Sequence, residues 1–300
     1  SQQQNLFPAL LRVPDVSIVD TIPAGSSVHP AVWKGRLDLP LDQLRAVDLE
    51  SRGINWTGAA PAWNREEAIR RYSIDVTQFT LPDDVVVVWS GASMDSLVIA
   101  LKQLGVIDQR VTPDQMLGNV IRASVRFVDE IEGRIVDFRN ARMSDRDVLG
   151  FHYRKTNEAA AARSIPTERQ YIGATDRALE KMRDDAVIFL ATDNSDVQSL
   201  YKKRYGVDRV CWTEKWLPEG GQSIHKNSEC PDGTLAAKDA LMDVGLLARC
   251  DRLVLTGNSS FSSLAGWFSV GSPSSRELVF PESGSRSRRI LRALKRFANR

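Results

Sequence analysis

Two adjacent cations follow a short apolar run near the middle of the chain, in the segment His152-Tyr153-Arg154-Lys155. The run from Val148 to Phe151 is typical of a buried β-strand, so we expect both cations where a strand ends. The planar guanidinium of Arg154 suits bidentate contact with phosphate, and Lys155 adds a point charge. Together they could neutralise a diphosphate leaving group without a metal. The alternative is that both are solvated loop charges.

Polar side chains also follow a second apolar run, which extends from Val187 to Ala191. Asp193 and Asn194 come directly after it, at the expected end of another strand. Either side chain could bind the hydroxyls of a ribose or the edge of a base. The more common role for such residues is to cap the helix that follows.

A third strand, from Leu253 to Leu255, is followed by Thr256-Gly257-Asn258-Ser259-Ser260 and then by an apolar helical pattern. The first backbone N–H groups of a helix have no partner within the helix and carry a partial positive charge. Ser259 and Ser260 add hydroxyl groups at that point. The segment is therefore a candidate anion site, although many strand-to-helix turns look similar.

The elements that must position these residues alternate regularly along the second half of the chain. Strands are predicted at residues 148–152, 187–191, 209–212, 253–255 and 277–280, and helices at 169–183, 196–205, 235–248 and 260–268. This alternation predicts parallel strands joined by right-handed crossovers, with ligands at the carboxyl ends of the strands.

The first half gives a less regular pattern. Strands are predicted at residues 16–19 and 85–89, and helices at about 97–104 and 115–131. The polar stretch at 141–147 is interpreted as a domain boundary. Residues 1–147 then form an N-terminal α/β lobe on the acceptor side, and residues 148–300 form a C-terminal Rossmann-like lobe that binds the donor.

Composition places the chain among ordinary folded proteins. The 300 residues are 42% hydrophobic and 26% charged, and no run approaches the ~18 apolar residues that a membrane helix needs. The N-terminus lacks the layout of a signal peptide. Three cysteines without close spacing favour neither a disulfide scaffold nor a thiolate metal site. We therefore expect a cytoplasmic protein.

A cluster of basic residues lies at the C-terminus, where residues 286–300 carry seven bases and no acid. Ile290, Leu291, Leu294 and Phe297 fall on one face of a helix. This basic C-terminal helix could dock on the protein itself, or it could contact an anionic membrane or nucleic acid.

Three ordered segments resemble motifs of the fucosyltransferase superfamily, specifically the α-1,6-fucosyltransferases and the rhizobial nodulation fucosyltransferases. They are His152–Asn157, Phe189–Asn194, and Leu241–Asp251 followed by Thr256–Phe261. The resemblance covers residues 148–268 or so. It implies a GT-B-like α/β fold with two Rossmann-like lobes, parallel sheets and an interlobe cleft. It also implies GDP-fucose as the donor, and transfer with inversion and without a metal or other cofactor.

The resemblance further implies roles for individual residues. Arg154 would contact the donor diphosphate with Lys155 beside it, and His152 would shape the same strand end. The other donor-binding residues that it implies are Asp193, Asn194, Asp243, Asn258, Ser259, Ser260 and Phe261. Lys155 and Asn157 stand where the family usually has Arg and Asp. This departure could mean a different nucleotide sugar or a lobe trimmed for an unusual acceptor.

Glu158 is the candidate general base, because it follows the proposed phosphate-binding pair and begins Glu158-Ala159-Ala160, which resembles the family's Glu-Ala-Ala. Its alternative role is that of an exposed glutamate at a helix start. Together with Arg154 and Lys155 it completes the predicted catalytic set.

Three functions remain open at this point. The leading one is an enzyme, a glycosyltransferase that moves fucose from GDP-fucose to a glycan or other hydroxyl acceptor. The second is a catalytically silent nucleotide- or glycan-binding protein of the same fold. The third makes the basic tail the active part, as a peripheral anchor. No nucleic-acid partner is expected for the leading function, and the tail is its candidate membrane contact.

Overall fold

A computed structural model of the chain describes residues 6–14, 16–17, 23–29, 31–36, 39, 43, 82–86, 94–155, 165–218, 229–257, 259–271 and 273–281. The chain forms two compact units, one of residues 1–16 and 118–300 and the other of residues 17–117. Residues 118–147 therefore belong to the same unit as residues 148–300. The division into acceptor and donor lobes after residue 147 stays a prediction about function.

The regular elements are short at the N-terminal end of the chain and longer after residue 94. The strands are β1 (Leu11–Arg12), β2 (Val28–His29), β3 (Val85–Val86), β4 (Arg126–Phe127), β5 (Val148–Tyr153), β6 (Val187–Thr192), β7 (Val210–Cys211), β8 (Arg252–Thr256) and β9 (Arg276–Val279). The α-helices are α1 (Phe7–Leu10), α2 (Met94–Gln103), α3 (Pro113–Ser124), α4 (Asp129–Arg142), α5 (Glu168–Leu179), α6 (Ser195–Tyr205), α7 (Gly233–Ala248) and α8 (Ser260–Phe268). Two 3₁₀ turns lie at Ala31–Trp33 and Pro273–Ser275.

A five-stranded parallel sheet dominates the larger unit, and its strands lie in the order β7-β6-β5-β8-β9. Counted from β5, this is the order 3-2-1-4-5 of a doubly wound fold, and it confirms the predicted alternation of parallel strands and helices. The chain reverses its direction of travel across the sheet between β5 and β8, where Leu149 pairs with Arg252. Ligands of such sheets bind outside the carboxyl ends of the strands at this switch point.

Helices cover both faces of the sheet, which explains why its strands read as uninterrupted apolar runs. All six residues of β5 and all six of β6 are buried. Successive side chains point to opposite faces, and each face has its own core. One contains Phe127, Ile131, Ile135, Val148, Phe189, Val244 and Leu247, and the other contains Leu149, Phe151, Tyr171, Leu190, Val197 and Tyr201.

Side-chain caps fix where four of the helices in the larger unit begin. Thr167 and Gln170 form a capping box at the start of α5. Asn194, Asp232 and Ser259 each accept backbone N–H bonds at the first turns of α6, α7 and α8. Such caps are worth about 1 kcal/mol each, and here they set the points at which the chain leaves the carboxyl edge of the sheet.

The helix predicted at residues 115–131 is wrong in its second part. Helix α3 ends at Ser124, β4 follows, and α4 begins at Asp129. The interruption arises because Phe127 is buried and pairs with Leu11 of β1 in an antiparallel ladder. A long-range strand pair has thus overridden the local helical pattern, and α4 then extends to Arg142, into the predicted boundary segment.

The strands predicted in the first half are only partly described. Val85 and Val86 form β3, which pairs in parallel with β2, and the rest of the 85–89 run lies outside the described residues. Val16 belongs to no strand, so the strand predicted at 16–19 does not include its first residue. The helix predicted at about 97–104 is found as α2.

Two helical glycines should respond oppositely to alanine. A Cβ on Gly245 of α7 would lie 2.3 Å from Ile135 Cδ1 and 3.2 Å from Phe127 Cε2, whereas a Cβ on Gly133 of α4 would meet nothing within 4 Å. We expect Gly245→Ala to lower the free energy of unfolding by about 1–3 kcal/mol through overpacking. Gly133→Ala should raise it by about 0.5–1 kcal/mol, because alanine favours the helix. Urea denaturation of both variants measures this, and equal effects would contradict the close packing of α7 against α4.

Among the residues that the structure describes, no helix is both long and apolar enough to cross a membrane. The basic C-terminal helix predicted within residues 286–300 lies outside the described part of the chain.

Candidate functional site

The carboxyl edge of the parallel sheet brings together residues from three strand ends that the sequence singled out. The backbone N–H of Lys155, after β5, lies 3.4 Å from Asp193 Oδ1, after β6. Thr256, the last residue of β8, donates its hydroxyl proton to the carbonyl oxygen of His152 at 2.9 Å. The predicted convergence of strand ends therefore occurs at the switch point of the sheet.

A chain of hydrogen bonds holds the end of β5 against β8 and α5. The hydroxyl of Tyr171 is 2.8 Å from Thr256 Oγ1. Because the proton of Thr256 already goes to the carbonyl of His152, Tyr171 must donate to Thr256. The backbone N–H of Arg154 in turn donates to the Tyr171 hydroxyl. These hydrogen bonds fix the backbone on both sides of Tyr153. They therefore also fix the position of the Arg154 backbone, from which its side chain extends.

The guanidinium of Arg154 is without a partner in the part of the chain that the structure describes. Its side chain is half-buried, and none of the described residues accepts a hydrogen bond from it or forms an ion pair with it. The ammonium nitrogen of Lys155, by comparison, lies 3.3 Å from Asp196 Oδ2 in a solvent-exposed ion pair. Such exposed ion pairs contribute little to stability. A half-buried arginine without a carboxylate at a switch point is suited to an anionic ligand.

His152 is buried and uncharged in the folded protein. Its Nδ1 shares a 2.6 Å hydrogen bond with Ser262 Oγ, and its ring packs on Phe261 with centroids 4.7 Å apart. Burial, and after it the positive charges of Lys215 and Arg154, lower the pKa of His152 to about 3. His152 therefore adds no positive charge to this edge of the sheet, and its role in shaping a donor site stays a prediction.

Protonation of His152 gives a testable pH dependence of stability. The unfolded histidine binds a proton below about pH 6.5, while His152 in the folded protein stays neutral down to a pKa of about 3. The unfolded state then binds more protons, so the free energy of unfolding should fall by up to about 1.4 kcal/mol per pH unit as pH drops below 6.5.

In His152→Asn this part of the pH dependence should vanish. Urea denaturation of wild type and His152→Asn at pH 7 and pH 5 measures it. Identical slopes in wild type and His152→Asn would contradict a neutral His152.

Asp193 and Asn194 serve different purposes although they are adjacent. Asn194 is buried and its Oδ1 accepts from the backbone N–H groups of Asp196 and Val197 at 3.0 and 3.3 Å, so it acts as the helix cap that the sequence left as the alternative. Asp193 stands at the carboxyl edge, and burial raises the pKa of its carboxyl. Contact of either residue with a nucleotide stays a prediction.

The start of α8 lies next to the end of β8. Ser259 is buried and its Oγ accepts from the backbone N–H of Ser262 at 3.5 Å, whereas Ser260 is exposed. Phe261 packs on His152 rather than pointing away from the site. Among the described residues of this predicted phosphate site, Ser260 is therefore the one that is exposed to solvent.

Thr213 and Lys215, two residues that the sequence did not single out, contact Asp243. Asp243 is buried, and its two carboxylate oxygens accept from Thr213 Oγ1 at 2.6 Å and from the ammonium of Lys215. Thr213 and Lys215 follow β7. They could have been predicted in the same way as the polar residues that follow β5, β6 and β8. The predicted contact of Asp243 with the nucleotide remains a prediction, since both of its oxygens already have protein partners.

Three predicted residues lie outside the described part of the chain: Glu158, Asn157 and Asn258. Within the described part, no group of three histidine, cysteine, aspartate or glutamate side chains could hold a metal ion.

Comparison of the structure with solved proteins identifies the fold. The fucosyltransferase NodZ from Bradyrhizobium superposes with a TM-score of 0.50 and 18% sequence identity, over 87% of this chain and 75% of NodZ. The chain has a fucosyltransferase-like fold. A NodZ α-1,6-fucosyltransferase co-crystallised with GDP gives the same TM-score at 17% identity and the same coverage.

The fucosyltransferase-like fold confirms the α/β, GT-B-like architecture that the resemblance implied. No family model and no curated protein matches the chain in sequence. The likeness therefore concerns the fold, and the activity is a separate question.

Proposed function

We propose that the chain is an inverting, metal-independent glycosyltransferase that transfers fucose from GDP-fucose to a hydroxyl group of a glycan or other small acceptor. The observation that carries the proposal is the half-buried guanidinium of Arg154, which has no partner among the described residues and lies at the switch point of a fucosyltransferase-like fold. A diphosphate group would supply the anion that this cation lacks. The NodZ structure with GDP supports the choice of nucleotide.

The proposed reaction is a direct displacement at the anomeric carbon of the donor sugar. The acceptor oxygen forms a bond to this carbon while the bond from the carbon to the diphosphate oxygen breaks. Glu158 accepts the proton of the acceptor hydroxyl. Arg154 and Lys155 stabilise the negative charge that develops on the departing GDP. Attack from the face opposite the leaving group gives inversion.

A neutral His152 is compatible with a site in which Arg154 and Lys155 bind the diphosphate. A buried imidazolium beside Arg154 would repel it, whereas a neutral ring held by Ser262 and Phe261 supports the strand end at no electrostatic cost. The side chain of His152 thus leaves the positive charge of the site to Arg154 and Lys155.

Incubation with GDP-fucose in the presence of EDTA tests the proposal. The enzyme should release GDP slowly even without an acceptor, by transfer to water, and the sugar should first appear with the anomeric configuration opposite to that of the donor. GDP binding without any release would favour a catalytically silent nucleotide-binding protein. Release that stops on addition of EDTA would contradict the metal-independent mechanism.

The acceptor side remains part of the proposal. The assignment of residues 1–147 to acceptor binding and of the basic C-terminal helix to peripheral membrane contact rests on the sequence. Vesicle sedimentation before and after deletion of residues 285–300 tests the membrane contact. Binding through the charges of this helix should weaken steeply with salt.

A further inference from the structure

The segment after β7, residues 212–218, carries a lysine at the carboxyl edge of the sheet that the predicted donor site does not include. Alternate side chains of this segment have different surroundings. Trp212 and Glu214 line a cavity of about 520 Å³ beside the edge strand. Thr213 and Lys215 instead reach Asp243 of α7. Lys215 therefore lies against α7.

The ion pair of Lys215 and Asp243 is almost completely buried, with 9% and 2% of the two side chains exposed. The cost of removing two such charges from water roughly cancels their attraction, so stability alone gives little reason to bury them. An ammonium group has three N–H donors. Among the described residues only Asp243 accepts one of them. The arrangement leaves donors that an anionic ligand would satisfy.

The positive charge of Lys215 acts on titratable groups at the ends of β5 and β6. It lowers the pKa of His152 and opposes the rise in the pKa of Asp193, and in both cases its effect exceeds that of Arg154. The strand order agrees with this, because β7 pairs with β6 and β6 pairs with β5, so Lys215 follows the strand beside the one that ends before Asp193. It approaches these residues from the β7 side of the sheet.

We propose that Lys215 is a third cation of the donor-diphosphate site, and that Asp243 and Thr213 are positioning residues that hold its ammonium in place. The proposal rests on the proposed function, since it assigns a ligand to the same site. Arg154 and Lys155 reach a diphosphate from the end of β5, and Lys215 reaches it from the end of β7. An ammonium that is already held in place needs no further ordering when the donor binds.

Calorimetric titration of GDP and of guanosine into Lys215→Met tests the proposal, because only GDP carries phosphate. We expect the dissociation constant for GDP to rise about 10- to 100-fold, as for the loss of a charge-assisted hydrogen bond. The dissociation constant for guanosine should stay unchanged. The salt dependence of GDP binding should also become weaker. Arg183→Met is the matched control: it removes a cation paired with Asp147, which directly precedes β5 at the opposite edge of the sheet, and should leave GDP affinity unchanged.

A second variant guards against unfolding, since Lys215→Met leaves the Asp243 carboxylate buried without its cation. The double variant Lys215→Met with Asp243→Asn removes both charges and should show the same selective loss of GDP. If wild type binds GDP and the variants bind it equally well, or if guanosine affinity falls as much as GDP affinity, the role of Lys215 is overturned while the proposed function stands. Absence of GDP binding to the wild type overturns both.

Discussion

Replacement of Arg154 with alanine is expected to lower the rate of GDP release from GDP-fucose by about 10²- to 10³-fold, the usual loss when one preorganised donor to a developing negative charge is removed. GDP should also bind more weakly. The reason is that no described residue competes with a ligand for this half-buried guanidinium. Steady-state kinetics of GDP release, together with calorimetric titration of GDP, measures both effects.

Two further variants sharpen the Arg154 experiment. Arg154→Lys keeps the charge but loses the planar fork, so its activity should lie between wild type and alanine. Arg177→Ala removes an arginine of α5 that pairs with Glu277 on the surface and should leave both rate and affinity unchanged. If GDP affinity and release both survive Arg154→Ala, the phosphate site does not lie at the end of β5.

Glu158→Gln should lower transfer to the acceptor, or to water when no acceptor is present, by about 10²- to 10⁴-fold, because a general base typically contributes this much. GDP affinity should stay within about twofold of wild type, since the proposed base contacts the acceptor hydroxyl and not the diphosphate. Rates measured from pH 5 to 9, with GDP titrations in parallel, separate the two quantities.

The outcome for Glu158 distinguishes a base from a surface residue. If transfer in Glu158→Gln persists within about threefold of wild type, another group takes the proton. Glu168→Gln is a suitable control, because Glu168 is an exposed glutamate in the first turn of α5. It should behave as wild type in both measurements.

The parallel sheet could be predicted from the sequence almost residue by residue. Strands β5 and β6 are buried on both faces, and such strands read as continuous apolar runs that end at the first polar residues. The same property placed Arg154 and Asp193 at one edge. Helix α8 begins at the predicted residue, where Ser259 caps it, and it also ends at the predicted residue, Phe268.

The boundary between α3 and α4 could not be found from periodicity alone. Apolar residues at helical spacing continue through the interruption, and the event that breaks the helix is the pairing of Phe127 with Leu11. A local signal was nevertheless present: Asp129, Glu130 and Glu132 lie in the first turn of α4, where acidic residues favour the start of a helix.

The ion pair of Lys215 with Asp243 is a contact that spacing cannot show. The sequence places Lys215 shortly after the strand predicted at 209–212, but it does not show which residue Lys215 meets. Lys215 reaches Asp243 across 28 positions of the chain. The uncharged state of His152 likewise follows from burial and neighbouring cations, which only the folded structure reveals.

Thermal unfolding of the purified protein with GDP, UDP, ADP, CDP and TDP, each with and without EDTA, tests the central claim most directly. A ligand at ~100 times its dissociation constant should add about 2.7 kcal/mol to the free energy of unfolding. The account predicts stabilisation by GDP, in preference to the other nucleotides and unaffected by EDTA. Stabilisation by none of the five would contradict a nucleoside-diphosphate site at the switch point between β5 and β8.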